Sequence, residues 1–439
     1  MIYNHIPLTG PLGRRKGGKK NIRYRDIIYG LALLIVFALP FHIQLTRYLI
    51  GGFIGVWLLE LIVKNGPGRM PRQLFRQLKH QRLIWLVIAF YLFHVLSLVV
   101  SSNVEQAFFD LERKLTLLLI PLAFSSLPTI KEKRQHHILI SFVAANGVIA
   151  LICTGFFIDR LLDPPYFNKF LDYPLYYIYR DFSLFNHPTY FALFMGLSVA
   201  FLLYLYHQSQ TLISRLWIVV MVVFFSLLVF VISSRAAIIV LVVLLILAIF
   251  HYGRSPAVKI ALLAGLVALS TLGLTNYRFN NYLELAGKVI QGKKVDSREL
   301  IEQDALRFLL WDVAVDLTRE NLWLGTGTGD IRKDLKEEYV RRDILKHMQR
   351  TFNPHNQYLS TLLGVGILGM LVLLSILIWP LILACRRRDY LGMSLLIVFL
   401  LNLAFESMLS RSPGILSFAF FYGWIILHRY REDPQDEIE

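Results

Sequence analysis

The chain has 439 residues, 56% of them hydrophobic, and a mean hydropathy of +0.53. A soluble domain of this length is less apolar and breaks its apolar runs up, so the balance argues against an ordinary cytosolic enzyme. The formal charge of +16 would point to nucleic acid in a soluble chain. In a membrane chain its first explanation is the cytoplasmic excess of Lys and Arg, and no nucleic-acid partner is expected.

Apolar runs of roughly 17 to 25 residues recur, each long enough to cross a hydrocarbon core about 30 Å thick. Lipid offers backbone amides no other partner, so each run is predicted as a helix. In chain order the spans fall at 27–43, 47–63, 83–100, 111–127, 137–157, 188–206, 216–232, 236–251, 257–275, 356–384, 391–408 and 413–428. The first follows a long basic stretch with no small-residue cleavage site behind it, and is read as a span, not a removable signal peptide. The fourth is the weakest, because Arg113 and Lys114 stand at its entrance, where long side chains can snorkel.

Loop charge sets the orientation. Residues 14–25 carry Arg14, Arg15, Lys16, Lys19, Lys20, Arg23 and Arg25; residues 64–82 carry Lys64, Arg69, Arg72, Arg76, Lys79 and Arg82. Lys131, Lys133 and Arg134 precede the fifth span, and Arg386, Arg387 and Arg388 follow the tenth. With about twelve spans all of these fall on one side with both termini, and that side is the cytoplasm. The expected fold is an all-α polytopic membrane protein. A basic cytoplasmic segment (1–26) precedes helices one to nine (27–275). A long, largely helical extracytoplasmic loop (276–355) leads to helices ten to twelve (356–428) and a cytoplasmic tail (429–439). Cys153 and Cys385 fall near opposite ends of the membrane in this map and form neither a disulfide nor a metal motif.

Within the long loop, Leu306, Leu309, Leu310, Val313 and Leu317 have helical spacing over 298–319, after Asp296 and Glu299 placed like a capping box. A glycine turn at 325–329 follows. A second amphipathic helix is predicted over 331–350, with Ile331, Leu335, Tyr339 and Ile344 on one face.

Several side chains in the outer segments suit chemistry, each with a plainer reading beside it. Arg235 interrupts two very apolar spans; it snorkels, or it faces a polar pocket, which the neighbouring Ser233 and Ser234 favour. Arg307 lies one turn before Trp311 on the loop helix, where arginines are often incidental. Arg180 has Asp181 as an adjacent partner. His355, in Asn353-Pro-His-Asn356, sits where the long loop meets the tenth span, with Asn356 placed to cap that helix. His is the side chain best suited to move a proton near neutral pH, and His187-Pro188 offers a competing histidine in a similar setting. Gly325-Thr-Gly-Thr-Gly329 looks like a phosphate loop but lacks the Lys-Ser/Thr and the preceding strand of one, so a tight turn is the simpler reading. No Asp-x-Asp pair or His/Asp cluster at metal spacing appears in the outer loops, and neither metal nor cofactor is expected. Arginines beside an apolar surface suit a diphosphate, which they can bind through paired N–H donors.

The order of these elements resembles the O-antigen ligase family, membrane glycosyltransferases that share a domain with O-antigen polymerases. The matching pieces are Phe182-Ser-Leu-Phe-Asn-His-Pro-Thr-Tyr-Phe191, Ser233-Ser-Arg-Ala-Ala237, Arg307-Phe-Leu-Leu-Trp311 running into Gly325–Gly329, Pro354-His-Asn-Gln-Tyr-Leu359 and Gly364-Val-Gly-Ile-Leu-Gly369. Leu322 stands where the family often has Pro, and Asp330 where Asn is common. The resemblance implies a metal-independent, inverting transfer of a glycan from an undecaprenyl diphosphate carrier to an acceptor sugar, for ligases the lipid A–core, at the outer face of the bacterial inner membrane. It implies that Arg235 and Arg307, with Arg180 as a third, hold the diphosphate, and that His355 is the base. His187 and Asn356 would support the site. A polymerase, taking a second lipid-linked glycan as acceptor, is the nearest alternative. A secondary transporter fits less well, because its long loop is usually central and cytoplasmic.

The topology has a direct test. In a variant without Cys153 and Cys385, single cysteines at 20, 75 or 388 should be shielded from a membrane-impermeant thiol reagent in intact spheroplasts. Cysteines at 170 or 340 should be labelled. Labelling at 75 would overturn the map.

Overall fold

A computed structural model describes residues 24–128, 130–172, 174–232, 235–252, 306–342 and 353–431, with scattered positions between 256 and 267. All regular structure among them is helical. The first half runs α1 (Tyr24–Ala38), α2 (Ile43–Asn65), α3 (Met70–Leu78), α4 (Arg82–Leu96), α5 (Val104–Ser126), α6 (Glu132–Leu161), α7 (Pro164–Asp172) and α8 (Pro174–Asp181). The second runs α9 (Pro188–Gln208), α10 (Leu212–Val231), α11 (Arg235–Tyr252), α12 (Leu306–Glu320), α13 (Ile331–Arg341), α14 (Gln357–Arg387), α15 (Tyr390–Phe405) and α16 (Ser412–Phe421), which continues as a wider turn to Leu427.

Among the described residues, six segments are long and apolar enough to cross a membrane: Ile43–Asn65, Arg82–Val99, Glu132–Leu161, Pro188–Gln208, Leu212–Val231 and Gln357–Arg387. Shorter apolar helices cover Ala236–Tyr252, Tyr390–Phe405 and Ser412–Leu427. Helix α5 coincides with the weakest predicted span, and its first half carries Glu105, Asp110, Glu112, Arg113 and Lys114. Most of the ninth predicted span, the proposed capping box at Asp296 and Glu299, and most of the basic amino-terminal segment lie outside the described residues. The eleventh predicted span ends at Phe405, short of 408, because Glu406 leaves the helix with an extended backbone (φ −152°, ψ 142°).

Local chemistry sets the helix starts. Asn103 caps α5 by accepting from Gln106 N–H at 3.1 Å, and Thr211 caps α10 by accepting from Ser214 N–H at 3.2 Å; each satisfies one of the amides a helix leaves open at its start. Helix α9 is the centre of the bundle, with 83% of its apolar window buried, and packs on α6, α10, α11 and α15. Helices α11 and α15 run antiparallel. They pack side by side, and the ring of Tyr252 at the end of α11 meets Tyr390 at the start of α15, 4.8 Å between centroids. The start of α11, with Arg235, therefore lies at the same end of the bundle as Glu406.

Helices α12 and α13 make a small second core of Leu310, Val313, Ala314, Leu335, Tyr339 and Leu363, all at most 1% exposed, with Leu309, Leu317 and Ile331 packed against it. Burying each large side chain is worth roughly 1.5–3 kcal/mol. Leu363 belongs to α14, so this core joins the loop to the bundle. The amphipathic pattern of 331–350 appears as a helix that ends at Arg341; Ile344 lies outside the described residues.

The glycine turn finishes the docking. Thr326 N–H donates to Leu363 O at 2.7 Å, and Ile367 N–H donates to Leu322 O at 2.8 Å. Gly366, inside α14, has φ +70° and ψ −171°, a conformation essentially reserved for glycine. A Cβ there would sit 2.1 Å from Trp323 O. Gly366→Ala should therefore cost about 2 kcal/mol or more. Gly155→Ala, at a helical site with nothing within 4 Å of the new atom, should be neutral or slightly stabilising. Thermal unfolding of both variants in detergent checks this; equal midpoints would refute the clash.

Candidate functional site

His355 is held by its own short segment. Its φ of +48° is in the left-handed region, unusual for a residue with a side chain. The turn is braced where Asn353 Oδ1 accepts the His355 backbone N–H at 3.0 Å. Next to it, Asn356 caps α14 by accepting from Leu359 N–H at 3.1 Å. The Trp311 indole donates to Pro354 O at 2.7 Å. Trp311 lies one turn beyond Arg307 on α12, so this bond ties the arginine's helix to the histidine's segment.

Among the described residues, the His355 ring pairs with a carboxylate. His355 Nδ1 lies 3.0 Å from Glu406 Oε2, and the Glu406 side chain is only 7% exposed. Ser407 N–H donates to the other carboxylate oxygen, Oε1, at 3.2 Å. The connector carrying Glu406 is stitched to the start of α14 at two further points. Leu409 N–H donates to Gln357 Oε1 at 2.7 Å, and the Ser360 and Ser407 hydroxyls are 2.7 Å apart. The histidine and carboxylate thus face each other across a preformed seam.

Other charged groups converge there. Burial pushes the Glu406 carboxyl up. The hydrogen bond and charge of His355, with the charges of Arg307 and His187, more than offset it and hold Glu406 below the usual carboxylate range. His187 moves down from its ordinary value, chiefly through burial; Glu406 opposes the shift, and His355, Arg411 and Arg307 add to it. His187 Nδ1 also accepts Thr189 N–H at 3.4 Å as the cap of α9. The Tyr190 hydroxyl, within the field of Glu406 and Arg411, is buried without a hydrogen-bond partner among the described residues.

The structure thus brings together His355, Arg307 and His187 from the sequence-derived set, with Asn356 as a cap. Arg235 begins α11 at this end of the bundle, and Arg180 lies near the end of α8; the side chains of both, and Ser233 and Ser234 altogether, lie outside the described residues. Asp181, the suggested partner of Arg180, accepts from the Tyr166 hydroxyl at 2.8 Å and meets Arg160 at 3.4 Å. Sequence reading missed Glu406 and Arg411. The available signal was a carboxylate closing an otherwise uncharged apolar run, and an ionisable group at such a place is a functional candidate by default.

The glycine turn is a docking device. Thr328 N–H donates to Ser97 Oγ at 3.3 Å and Gly329 N–H to Ser101 Oγ at 3.1 Å. Asp330 accepts from Ser101 Oγ, from the backbone N–H and hydroxyl of Ser102, and from Asn103 N–H, at 2.5–3.1 Å. Among the described residues, no group of three or more His, Cys, Asp or Glu is placed to hold a metal ion.

Residues 220–374 match the family model described as O-antigen ligase. That segment is similar to an O-antigen ligase domain. The matched segment contains Arg235, Arg307, the glycine turn and His355, while Arg180, His187, Glu406 and Arg411 fall outside it. No curated protein matches the chain.

Proposed function

We propose that this protein is an O-antigen ligase-like glycosyltransferase, moving a glycan from undecaprenyl diphosphate to a lipid A–core sugar at the outer face of the inner membrane. In this reading about twelve spans place both termini in the cytoplasm and the long loop outside. The observation that carries it is the seam at His355: a histidine inside the matched O-antigen ligase segment, with Arg307 on a helix pinned beside it by Trp311, paired with a buried carboxylate that lies just beyond that segment.

The donor enters laterally with its tail in the bilayer. Arg235 and Arg307, with Arg180 as a third, bind the diphosphate. The acceptor hydroxyl gives its proton to His355 while its oxygen attacks the anomeric carbon from the face opposite the diphosphate. The bond from that carbon to the diphosphate oxygen breaks, its electron pair leaves with undecaprenyl diphosphate, and the configuration inverts. The arginines stabilise the charge that grows on the leaving group, in surroundings where such contacts are stronger than in water. The reaction needs no metal.

Purified protein incubated with lipid-linked glycan and either core lipid or further lipid-linked glycan tests the reading. Product on core lipid is expected; elongation of the lipid-linked glycan alone would make it a polymerase. Arg235→Ala and Arg307→Ala should weaken donor binding, and Arg235→Lys, which keeps charge but loses the two-pronged fork, should not restore full activity. Unchanged donor affinity in both alanine variants would remove them from the diphosphate site. His355→Gln should lower turnover by roughly 10²–10⁴-fold with donor affinity little changed, and His187→Ala should be milder. Near wild-type turnover in His355→Gln would end the base assignment. EDTA should leave activity intact; inhibition reversed by added metal would refute metal independence.

A further inference from the structure

Glu406 lies beyond the matched domain, yet it touches the proposed base directly. We propose that Glu406 is the positioning residue of the site: it fixes the His355 tautomer so that Nε2 holds the lone pair that takes the acceptor proton. The proposal rests on His355 as the base.

The argument begins with which nitrogen can carry hydrogen. A carboxylate only accepts hydrogen bonds. With Glu406 Oε2 3.0 Å from Nδ1, the hydrogen of the neutral ring belongs on Nδ1, and the lone pair falls to Nε2. A fixed partner at one ring nitrogen sets the role of the other. When Nε2 takes a proton, the resulting imidazolium is already paired with a buried anion. The neighbouring cations make this pairing matter. Arg307 on α12 and Arg411 on the connector bring fixed positive charge to this cluster, and like charge disfavours a further cation beside it. Among the described residues Glu406 is the carboxylate that counters them, and the Tyr190 hydroxyl is a further ionisable neighbour.

The geometry does not depend on the histidine bond alone. Ser407 N–H holds Oε1, and the contacts from Leu409 to Gln357 and from Ser407 to Ser360 hold the connector against α14. Glu406 can therefore impose an orientation on the ring. Its backbone N–H closes the last turn of α15 on Asn402 O at 3.0 Å, but its side chain takes no part in that ladder, so a side-chain substitution there need not break the span.

Glu406→Gln is the informative variant. Its amide oxygen can still accept from Ser407 N–H, which turns the NH2 toward Nδ1. The ring must then accept at Nδ1 and carry its hydrogen on Nε2, where it cannot act as a base. Turnover should fall by roughly 10²–10⁴-fold with KM for donor little changed, and Glu406→Asp should recover part of it. A second readout needs no activity. The His355 side chain is 26% exposed, so its modification by diethyl pyrocarbonate can be followed across pH by mass spectrometry, reporting its titration midpoint. Without the carboxylate the cations prevail, and the midpoint should move to lower pH in Glu406→Gln. The acid limb of kcat/KM should move with it, because the base works only when neutral. A merely structural role would lower yield or melting temperature without moving the midpoint.

The proposal stands if midpoint and turnover both fall. An unmoved midpoint overturns it whatever turnover does, and so does turnover that survives Glu406→Gln but not His355→Gln. Turnover that survives both substitutions while the midpoint falls removes His355 as the base; that is a failure of the functional reading, with the pairing itself intact.

Discussion

A carboxylate taken out of water at the end of an apolar helix must be compensated, and Glu406 is such a group. The penalty for an uncompensated buried charge is several kcal/mol, enough to neutralise it or unfold its surroundings. Compensation at Glu406 comes from separate parts of the chain: the His355 ring before α14, the Ser407 amide, and the fields of Arg307 on α12 and His187 before α9. None of these is close to Glu406 in sequence except Ser407. One buried charge thus gathers the long loop, the central helix and the last helices at one end of the bundle. The compensated state keeps the carboxylate ionised near neutral pH, the condition for pairing with a histidine that gains and loses charge.

That convergence requires the loop to be seated firmly, and the glycine turn supplies the seat. Gly325, Gly327 and Gly329 approach backbone so closely that a Cβ would lie within 2.8 Å of Leu363 O, Ser101 Cα or Asn103 O. Asp330 then latches the turn to the junction of α4 and α5. Burial pushes its carboxyl up, but the hydrogen bonds from Ser102, Ser101 and Asn103 bring it below its ordinary value. The departure from the family pattern at this position has a physical consequence. Both carboxylate oxygens accept here, whereas an Asn side chain would offer one oxygen and turn an NH2 toward donors. At Leu322, the other departure, the carbonyl oxygen accepts from Ile367. The turn is therefore held by contacts this chain makes for itself.

Much of this arrangement was legible from apolar runs and turn residues. The helical stretches, the amphipathic stripe Leu309, Leu310, Val313 and Leu317, the shorter stripe through Leu335 and Tyr339, and the cap at Asn356 all follow local rules that act over a few residues. What escaped was the pairing of His355 with Glu406, 51 positions apart. Glu406 was absorbed into the end of an apolar run, because a hydropathy pattern registers one charge at a helix terminus as a boundary. The choice between His187 and His355 was likewise closed to pattern. Their settings are alike in sequence, each beside a proline at a helix start. In space one accepts a backbone amide as a cap, and the other faces a carboxylate.

The spent amides of the glycine turn bear on how an anion would be held. Loops rich in glycine often cradle phosphate with backbone N–H groups, and here Thr326, Thr328 and Gly329 already donate to Leu363, Ser97 and Ser101. Breaking these to bind phosphate would undo the seat that keeps α12 beside His355. Under the proposed reaction the donor diphosphate must then be met by side chains. Arginine suits that role better than lysine, because its planar fork matches two phosphate oxygens at once and its charge does not titrate. The same property explains why a cation can sit beside the proposed base without competing for its proton. Arg307 holds a fixed charge through the cycle, and the histidine remains free to change its own.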